Sequence, residues 1–254
     1  MLFAHMAVGE PIEVVWNLTI GFCDSMGLSG TPRAIAFFFG ALACIILPYL
    51  LGSVNPAIIF SKLIYHDDIR QHGSGNAGTT NMLRTFGLKA AALTMVCDFL
   101  KAIAAVWLGR LIYGVDGGAL AMFFVVFGHM FPIFYRFKGG KGVACAAMAA
   151  LAIHPIIFLF LLAIFLIIAI GTRLVSLASI MCALVYPMLF YWFANDGLNV
   201  AMAFCTMLFV LFMHRENFKR IWEGKESKLD LSKFRIKKKK DGDGSAEDGQ
   251  DGTR

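Results

Sequence analysis

The chain has 254 residues, of which 58% are hydrophobic and 16% charged, with mean hydropathy +0.69 and formal net charge +6. A soluble domain runs at about 45–50% apolar and about 25% charged, so the excess apolar surface must face something other than water. An ordinary soluble domain is excluded, and the composition points to an all-α, polytopic helical membrane protein. Taken from the N-terminus, residues 1–33 form an extension. Within it Val8, Ile12, Val15, Leu18 and Phe22 fall at helical spacing, which suits an interfacial helix on the outer leaflet. The opening MLFAHMAVGEPIEVV lacks a basic start followed by an unbroken apolar stretch, so no cleaved signal peptide is expected.

Helices are expected at 34–62, 88–113, 117–135, 142–153, 155–171, 174–194 and 198–213. The stretch 34–51, AIAFFFGALACIILPYLL, has no charge, and 154–171, HPIIFLFLLAIFLIIAIG, carries only a histidine. Runs of about 18 such residues are long enough to span. The segment 142–153 is too short, reaching about 18 Å of a core about 30 Å thick. It either counts as one of about seven helices or pairs with 155–171 as a shallow hairpin broken at Pro155. Lys and Arg collect in 62–89, 136–141, 173 and 214–240, whereas GVDGG (114–118) and NDGLN (195–199) are acidic or neutral. The positive-inside rule then puts the basic set in the cytoplasm, the N-terminus outside and the C-terminus inside. Residues 34–230 form the membrane-embedded unit. The tail 231–254 is polar and low in complexity, and disorder is expected; Lys237 to Lys240 either touch anionic lipid or are simply solvated.

Three polar segments interrupt the apolar pattern, all on the cytoplasmic side. The first contains GSGNAGTTNMLR (73–84), bracketed by Arg70 and Arg84. It supplies small residues, hydroxyls and amides, and arginine suits bidentate phosphate binding. Thr79, Thr80 or Asn81 also serves as a helix N-cap, which explains one or two of its polar residues but not most of them. The second, GHMFPIFYRFKGGKGVA (128–144), holds FKGGKG with Lys138 and Lys141. Successive glycine amides make an anion nest, and a helix starting behind them aims its dipole the same way. A flexible basic loop is the plainer reading, and no P-loop can be written. The third, HRENFKRIWEGKES (214–227), sets His214, Asn217 and Ile221 on one helical face, with Glu226 able to pair with a basic residue of the other two segments. A surface histidine and a solvated glutamate are the alternatives.

Asp98 and Lys101 sit at i, i+3 inside an apolar helix, where ionisable residues are costly and pair; a structural ion pair facing the bundle is expected. The six cysteines (Cys23, Cys44, Cys97, Cys145, Cys182, Cys205) lie mostly within apolar runs without a C-x-x-C pair, so they read as small buried hydrophobes. There is no H-x4-D, no G-x-S-x-G and no acidic cluster with the spacing of a magnesium-dependent phosphotransferase. No metal, no cofactor and no covalent nucleophile are expected.

Together, GSVNPAIIFSKL (52–63), DIRQHGSGNAGTTNMLRTFG (68–87), GHMFPIFYRFKGGKGVA (128–144), RLVSLASI (173–180) and HRENFKRIWEGKES (214–227) resemble, in order, the bacterial acyl-phosphate:glycerol-3-phosphate acyltransferases. The resemblance covers residues 34 to about 230. It departs mildly after GSGN, where AGTTNM replaces the common I-G-A-T-N-V, and at GSVNP in place of G-S-I-P. It implies a compact multi-helix enzyme of the bacterial cell membrane, acting at its cytoplasmic face in the first step of phospholipid synthesis. Its substrates would be glycerol 3-phosphate and a long-chain acyl phosphate, and its surroundings the lipid bilayer, with no nucleic acid. By the same resemblance Ser74 and Arg84, with His214 and Asn217, are catalytic. Gly75, Asn76 and Asn81 join the substrate contacts; Gly139, Gly140, Lys141 and Gly142, with Lys138 adjacent, hold glycerol 3-phosphate; and Glu226 is structural. The general base stays open between His214 and a substrate phosphate. The rival class is a transporter of a phosphorylated metabolite. Transporter sites lie near mid-membrane, whereas these motifs gather on one face.

Overall fold

The computed structural model describes residues 21–229, all helix, turn and loop. The interfacial helix expected within 1–33 lies largely, and the tail 231–254 wholly, outside the described residues. A short α1 (Gly21–Ser25) precedes α2 (Gly30–Ser53) and α3 (Pro56–Tyr65). The single helix expected over 34–62 is therefore two. Pro56 disfavours helical backbone at Asn55, and the Asn55 side chain instead accepts a 3.1 Å hydrogen bond from the Ile58 N–H as the cap of α3.

After a loop comes α4 (Thr79–Phe86), capped by Gly78, so none of Thr79, Thr80 and Asn81 is the N-cap. The next helix, α5 (Leu88–Met130), is broken at Tyr113 (φ −135°, ψ 30°) and Gly114 (φ 58°, ψ −141°). Its two arms fold back on each other: a methyl group placed on Gly109 would collide with the Gly117 carbonyl oxygen and lie 2.8 Å from its carbon. Between helices in lipid the gain comes from close packing, and small residues let the backbones meet. Gly52 against Val125 and Gly128 against Tyr49 repeat the device between α2 and the second arm. These arms are the helices expected at 88–113 and 117–135, the second ending at Met130.

The remaining helices are α6 (Val143–Ile153), α7 (Pro155–Thr172), α8 (Val175–Phe193), α9 (Gly197–Met213) and α10 (Arg215–Trp222). By length and composition Gly30–Tyr65, Leu88–Tyr135, Pro155–Thr172 and Val175–Phe193 can cross a membrane, and α9 with α10 can do so across a 55° bend. Helix α6 has 11 residues, about 16 Å, and stops short. Its inward face is tied to α8 by the Tyr186 hydroxyl, which donates to the Ala146 carbonyl at 2.9 Å.

The main core joins both arms of α5 to α6, α7, α8 and α9 through buried residues such as Val106, Met122, Ala149, Ile157 and Phe190. Outward-facing Phe38, Leu100, Ile167, Trp192 and Phe204 stay exposed, as a lipid-facing belt requires. A second, smaller core at one end packs Ala57, Ile58, Ile69, Ala77 and Met82, with Leu229 against it.

Candidate active site

All three polar segments meet at that end of the bundle, around a cavity of about 760 Å³. Ser74, Arg84, Lys141, His214, Asn217 and Arg220 line one part of it, and Phe99, Met148, Phe158, Leu161, Phe165 and Met207 line the rest. One end is therefore cationic and hydrogen-bonding, and the other is apolar and runs between helices. Residues 227–229 complete the lining, and the Leu229 N–H donates to the Arg173 carbonyl at 2.7 Å.

In the first segment the loop is fixed by Asn81. Its Oδ1 accepts from the Ser74 N–H at 3.0 Å, and its Nδ2 donates to the Ile69 and His72 carbonyls at 3.1 and 2.9 Å. Asn81 thus staples the loop while itself lining the cavity. Gly75 is a turn residue, at φ +70° and standing off the cavity lining, while Asn76 lines it. Arg70 is spent on Asp68, 2.6 Å away, and that bond outweighs burial in holding the Asp68 carboxyl down at about 2. Arg84 is therefore the arginine of this segment that reaches the cavity. Beside it Thr79 carries a buried hydroxyl without a protein partner.

The second segment differs more from expectation. The N–H groups of Gly139 and Gly140 donate to the Met130 and His129 carbonyls at 3.2 and 3.0 Å. They are not available as an anion nest, and neither they nor exposed Lys138 line the cavity. What faces it is Lys141, Gly142 (φ +78°) and the start of α6 at Val143 and Ala144, where unpaired helix N–H groups and the dipole converge. Burial depresses the Lys141 ammonium to about 8, with Arg220 and Arg84 adding to the shift and Glu226 opposing it.

The third segment is held by Glu226. Its carboxylate accepts from Ser176 (2.8 Å), Asn217 (2.7 Å) and Arg220 (2.7 Å); burial raises its pKa, but these bonds win and the net shift is downward. Glu226 thus pairs within its own segment, with Arg220. Asn217 in turn receives the Lys141 ammonium on Oδ1, joining the second and third segments. His214 sits at the bend between α9 and α10. Its Nδ1 lies 2.8 Å from the Val210 carbonyl, which can only accept, so the neutral ring carries its proton on Nδ1 and leaves Nε2 as an acceptor.

Arg220 and Ser176 were missed in the sequence. Arg220 lies three residues after Asn217 on a helix, so their shared face was the available signal. The expected Asp98–Lys101 pair is present at 2.8 Å, with His129 as an unanticipated third member, 3.2 Å from Asp98. Among the described residues Asp98, His129 and Cys145 bring potential metal-binding atoms within 4.8 Å of one another. The Lys101 ammonium, 3.0 Å from His129 Nδ1, already supplies the cation there.

A helical membrane protein with an amphipathic cavity, cationic at one end of the bundle and apolar within it, is built for a ligand with an anionic head and a hydrocarbon tail. The sequence model of the family described as glycerol-3-phosphate acyltransferase matches residues 42–224. Glycerol-3-phosphate acyltransferase of Thermoanaerobacter sp. (strain X514) is 39% identical over 189 residues, covering 74% of this chain and 96% of the relative. That of Bacillus subtilis (strain 168) is 40% identical over 185 residues, covering 73% and 95%. Crystal structures of PlsY (YgiH), an integral membrane glycerol 3-phosphate acyltransferase, superpose at TM-scores of 0.72 for the glycerol 3-phosphate form and 0.69 for the lysophosphatidic acid form. Both are 34% identical and cover 76% of this chain and 98% or 97% of theirs. The chain belongs to the glycerol-3-phosphate acyltransferase family and is a multi-pass membrane protein.

Proposed function

We propose that this chain transfers a fatty acyl group from acyl phosphate to the 1-hydroxyl of sn-glycerol 3-phosphate, giving 1-acyl-glycerol 3-phosphate and phosphate. The observation that carries this reading is the division of one cavity into a cationic end and an apolar interior, which suits two phosphates and one acyl chain together. Arg84 and Lys141 neutralise the phosphates, with the start of α6 behind them. The hydroxyl oxygen attacks the acyl carbon, the carbon–oxygen bond to phosphate breaks, and phosphate departs. His214 Nε2, left as an acceptor by the Nδ1 bond to Val210, takes the hydroxyl proton and passes it to the departing phosphate. Ser74 orients the reacting groups, and Asn217 holds the Lys141 ammonium in place. An acyl phosphate is a mixed anhydride with a good leaving group, so placement and charge neutralisation suffice.

The reading extends to setting. Residues 34–230 form the catalytic unit, flanked by an extension at 1–33 and a tail at 231–254. The N-terminus lies outside a bacterial cell membrane and the polar end of the cavity opens to the cytoplasm, as the Lys and Arg distribution supports. The test is to mix purified protein with acyl phosphate and glycerol 3-phosphate and follow lysophosphatidate and inorganic phosphate. Equimolar release of both is expected; absence of both in every lipid environment tried would refute it.

A further inference from the structure

Resting on the reaction proposed above, we propose that His129, fixed by Asp98 and Lys101, is a positioning residue that sets the distance between the Lys141 loop and the GSGN loop. The Lys101 ammonium has three protons and finds three oxygens: Gly52 O at 3.1 Å, Val54 O at 2.7 Å and Asp98 Oδ1 at 2.8 Å. Two of these are carbonyls at the broken end of α2, where a helix leaves acceptors without partners and favours a cation. With the ammonium protons so used, His129 Nδ1 donates to Asp98, 3.2 Å away. The imidazole, on the second arm of α5, is thus tethered on one edge to the first arm at Asp98 and Lys101, and Lys101 in turn holds the end of α2.

Its other edge faces Gly140. A methyl group there would collide with His129 Nε2 and lie 2.7 Å from the Ala77 carbonyl oxygen. Gly140 is therefore clamped between the imidazole and Ala77. The Ala77 carbonyl is itself held by Asn55 Nδ2 at 3.3 Å, and Gly140 N–H is held by the His129 carbonyl at 3.0 Å. One ring and one glycine together fill the gap between the two loops. Lys141 follows Gly140 directly, and Ser74 lies three residues before Ala77, so this thickness governs where the ammonium and the hydroxyl stand. Misplacement of such groups by about 1 Å is enough to cost about a hundredfold in rate.

Two near-isosteres separate this role from simple maintenance of a buried charge cluster. His129→Asn keeps an amide where Nδ1 stood, next to Asp98 and Lys101, and deletes the edge against Gly140. His129→Gln keeps a polar group near Nε2 and gives up the Nδ1 tether. The positioning role predicts that Asn raises the glycerol 3-phosphate KM about tenfold or more while Gln stays within about threefold of wild type. Amide exchange of a peptide spanning 137–143 should follow the same order, faster in Asn than in Gln, and needs no turnover. In the double variant His129→Asn with Gly140→Ala, the methyl enters space the ring has left, so the effects of the single variants should not multiply. A cluster-maintenance role gives the reverse order, with Gln the more damaged, and that result would overturn the proposal. If His129→Asn does not fold, Gln against Gly140→Ala decides: Gln as impaired as Gly140→Ala in exchange refutes it, and Gln near wild type supports it. Wild type that makes no lysophosphatidate would sink the assigned reaction alone, since the exchange order still reads the strut.

Discussion

The depressed pKa of Lys141 makes the affinity for glycerol 3-phosphate depend on pH in a definite direction. In the free protein its ammonium titrates at about 8, because burial and the neighbouring Arg220 and Arg84 disfavour the charge. An ordinary lysine, near 10.4, stays charged throughout the neutral and mildly alkaline range. If only the charged form binds phosphate, the apparent KM scales as one plus the ratio of neutral to charged Lys141. That factor is about 1.1 at pH 7 and about 11 at pH 9, a rise of about tenfold, or about 1.4 kcal/mol of binding. The sign is fixed: affinity is full below the depressed pKa and is lost as pH rises through it. Initial rates at saturating acyl phosphate, with glycerol 3-phosphate varied from pH 7 to 9 and spontaneous hydrolysis subtracted, would measure this. Lys141→Arg stays charged at every pH used. It should show a raised KM, because a planar fork does not fit the Asn217 contact, but a flat one. A wild-type KM changing less than about twofold over this range, or a Lys141→Arg curve with the same rise, would refute the reasoning. A rise confined to the acyl phosphate KM would mean that Lys141 serves the other substrate.

Arg84→Lys should lower kcat/KM by about ten- to a hundredfold, since an ammonium cannot reproduce a bidentate fork; wild-type rates in that variant would reduce Arg84 to a plain charge. Glu226→Ala releases Ser176, Asn217 and Arg220 together, so both kcat/KM, by about tenfold or more, and thermal stability should fall, while Glu226→Gln loses less; a Glu226→Ala variant of wild-type Tm and rate would contradict this. Nitrogen-15 histidine spectra of the free protein at pH 7 should show His214 with its proton on Nδ1 and Nε2 bare; a ring carrying its proton on Nε2 alone would remove the argument for that base. In a background without native cysteines, Gly197→Cys, a position with open space around it, should react with an impermeant reagent from outside intact cells, and Ser227→Cys should not; the reverse pattern would invert the proposed orientation.

The apolar runs announced the helices because their length and lack of charge leave few alternatives, but the unbroken apolar run over 34–62 hid the break at Asn55–Pro56, where an asparagine caps the second helix. Local chemistry could not reveal which polar groups would be used up by their neighbours. Arg70 and Arg84 look equivalent beside GSGN, yet the first is captured by an aspartate two residues away. The glycines of FKGGKG look like an anion nest, yet two of their amides return to carbonyls at the end of α5. His129 sits in the quoted second segment, but its partners Asp98 and Lys101 come from the first arm of α5, contacts that only the packed bundle creates. Two of the three partners of Glu226, Ser176 and Arg220, were not singled out by the sequence, since one of them comes from a different helix and both are chosen by packing.

The segment after Glu226 has a practical corollary. Leu229 is fastened to Arg173 and packed on the smaller core, with Ser227 and Lys228 beside it on the cavity lining. The described chain therefore ends on the wall of the cavity itself. A bulky fusion partner or a resin-bound tag attached shortly after this point would crowd that wall and should lower apparent activity without altering any cavity side chain. The lining begins at Gly73, so a tag placed ahead of α2 leaves it clear.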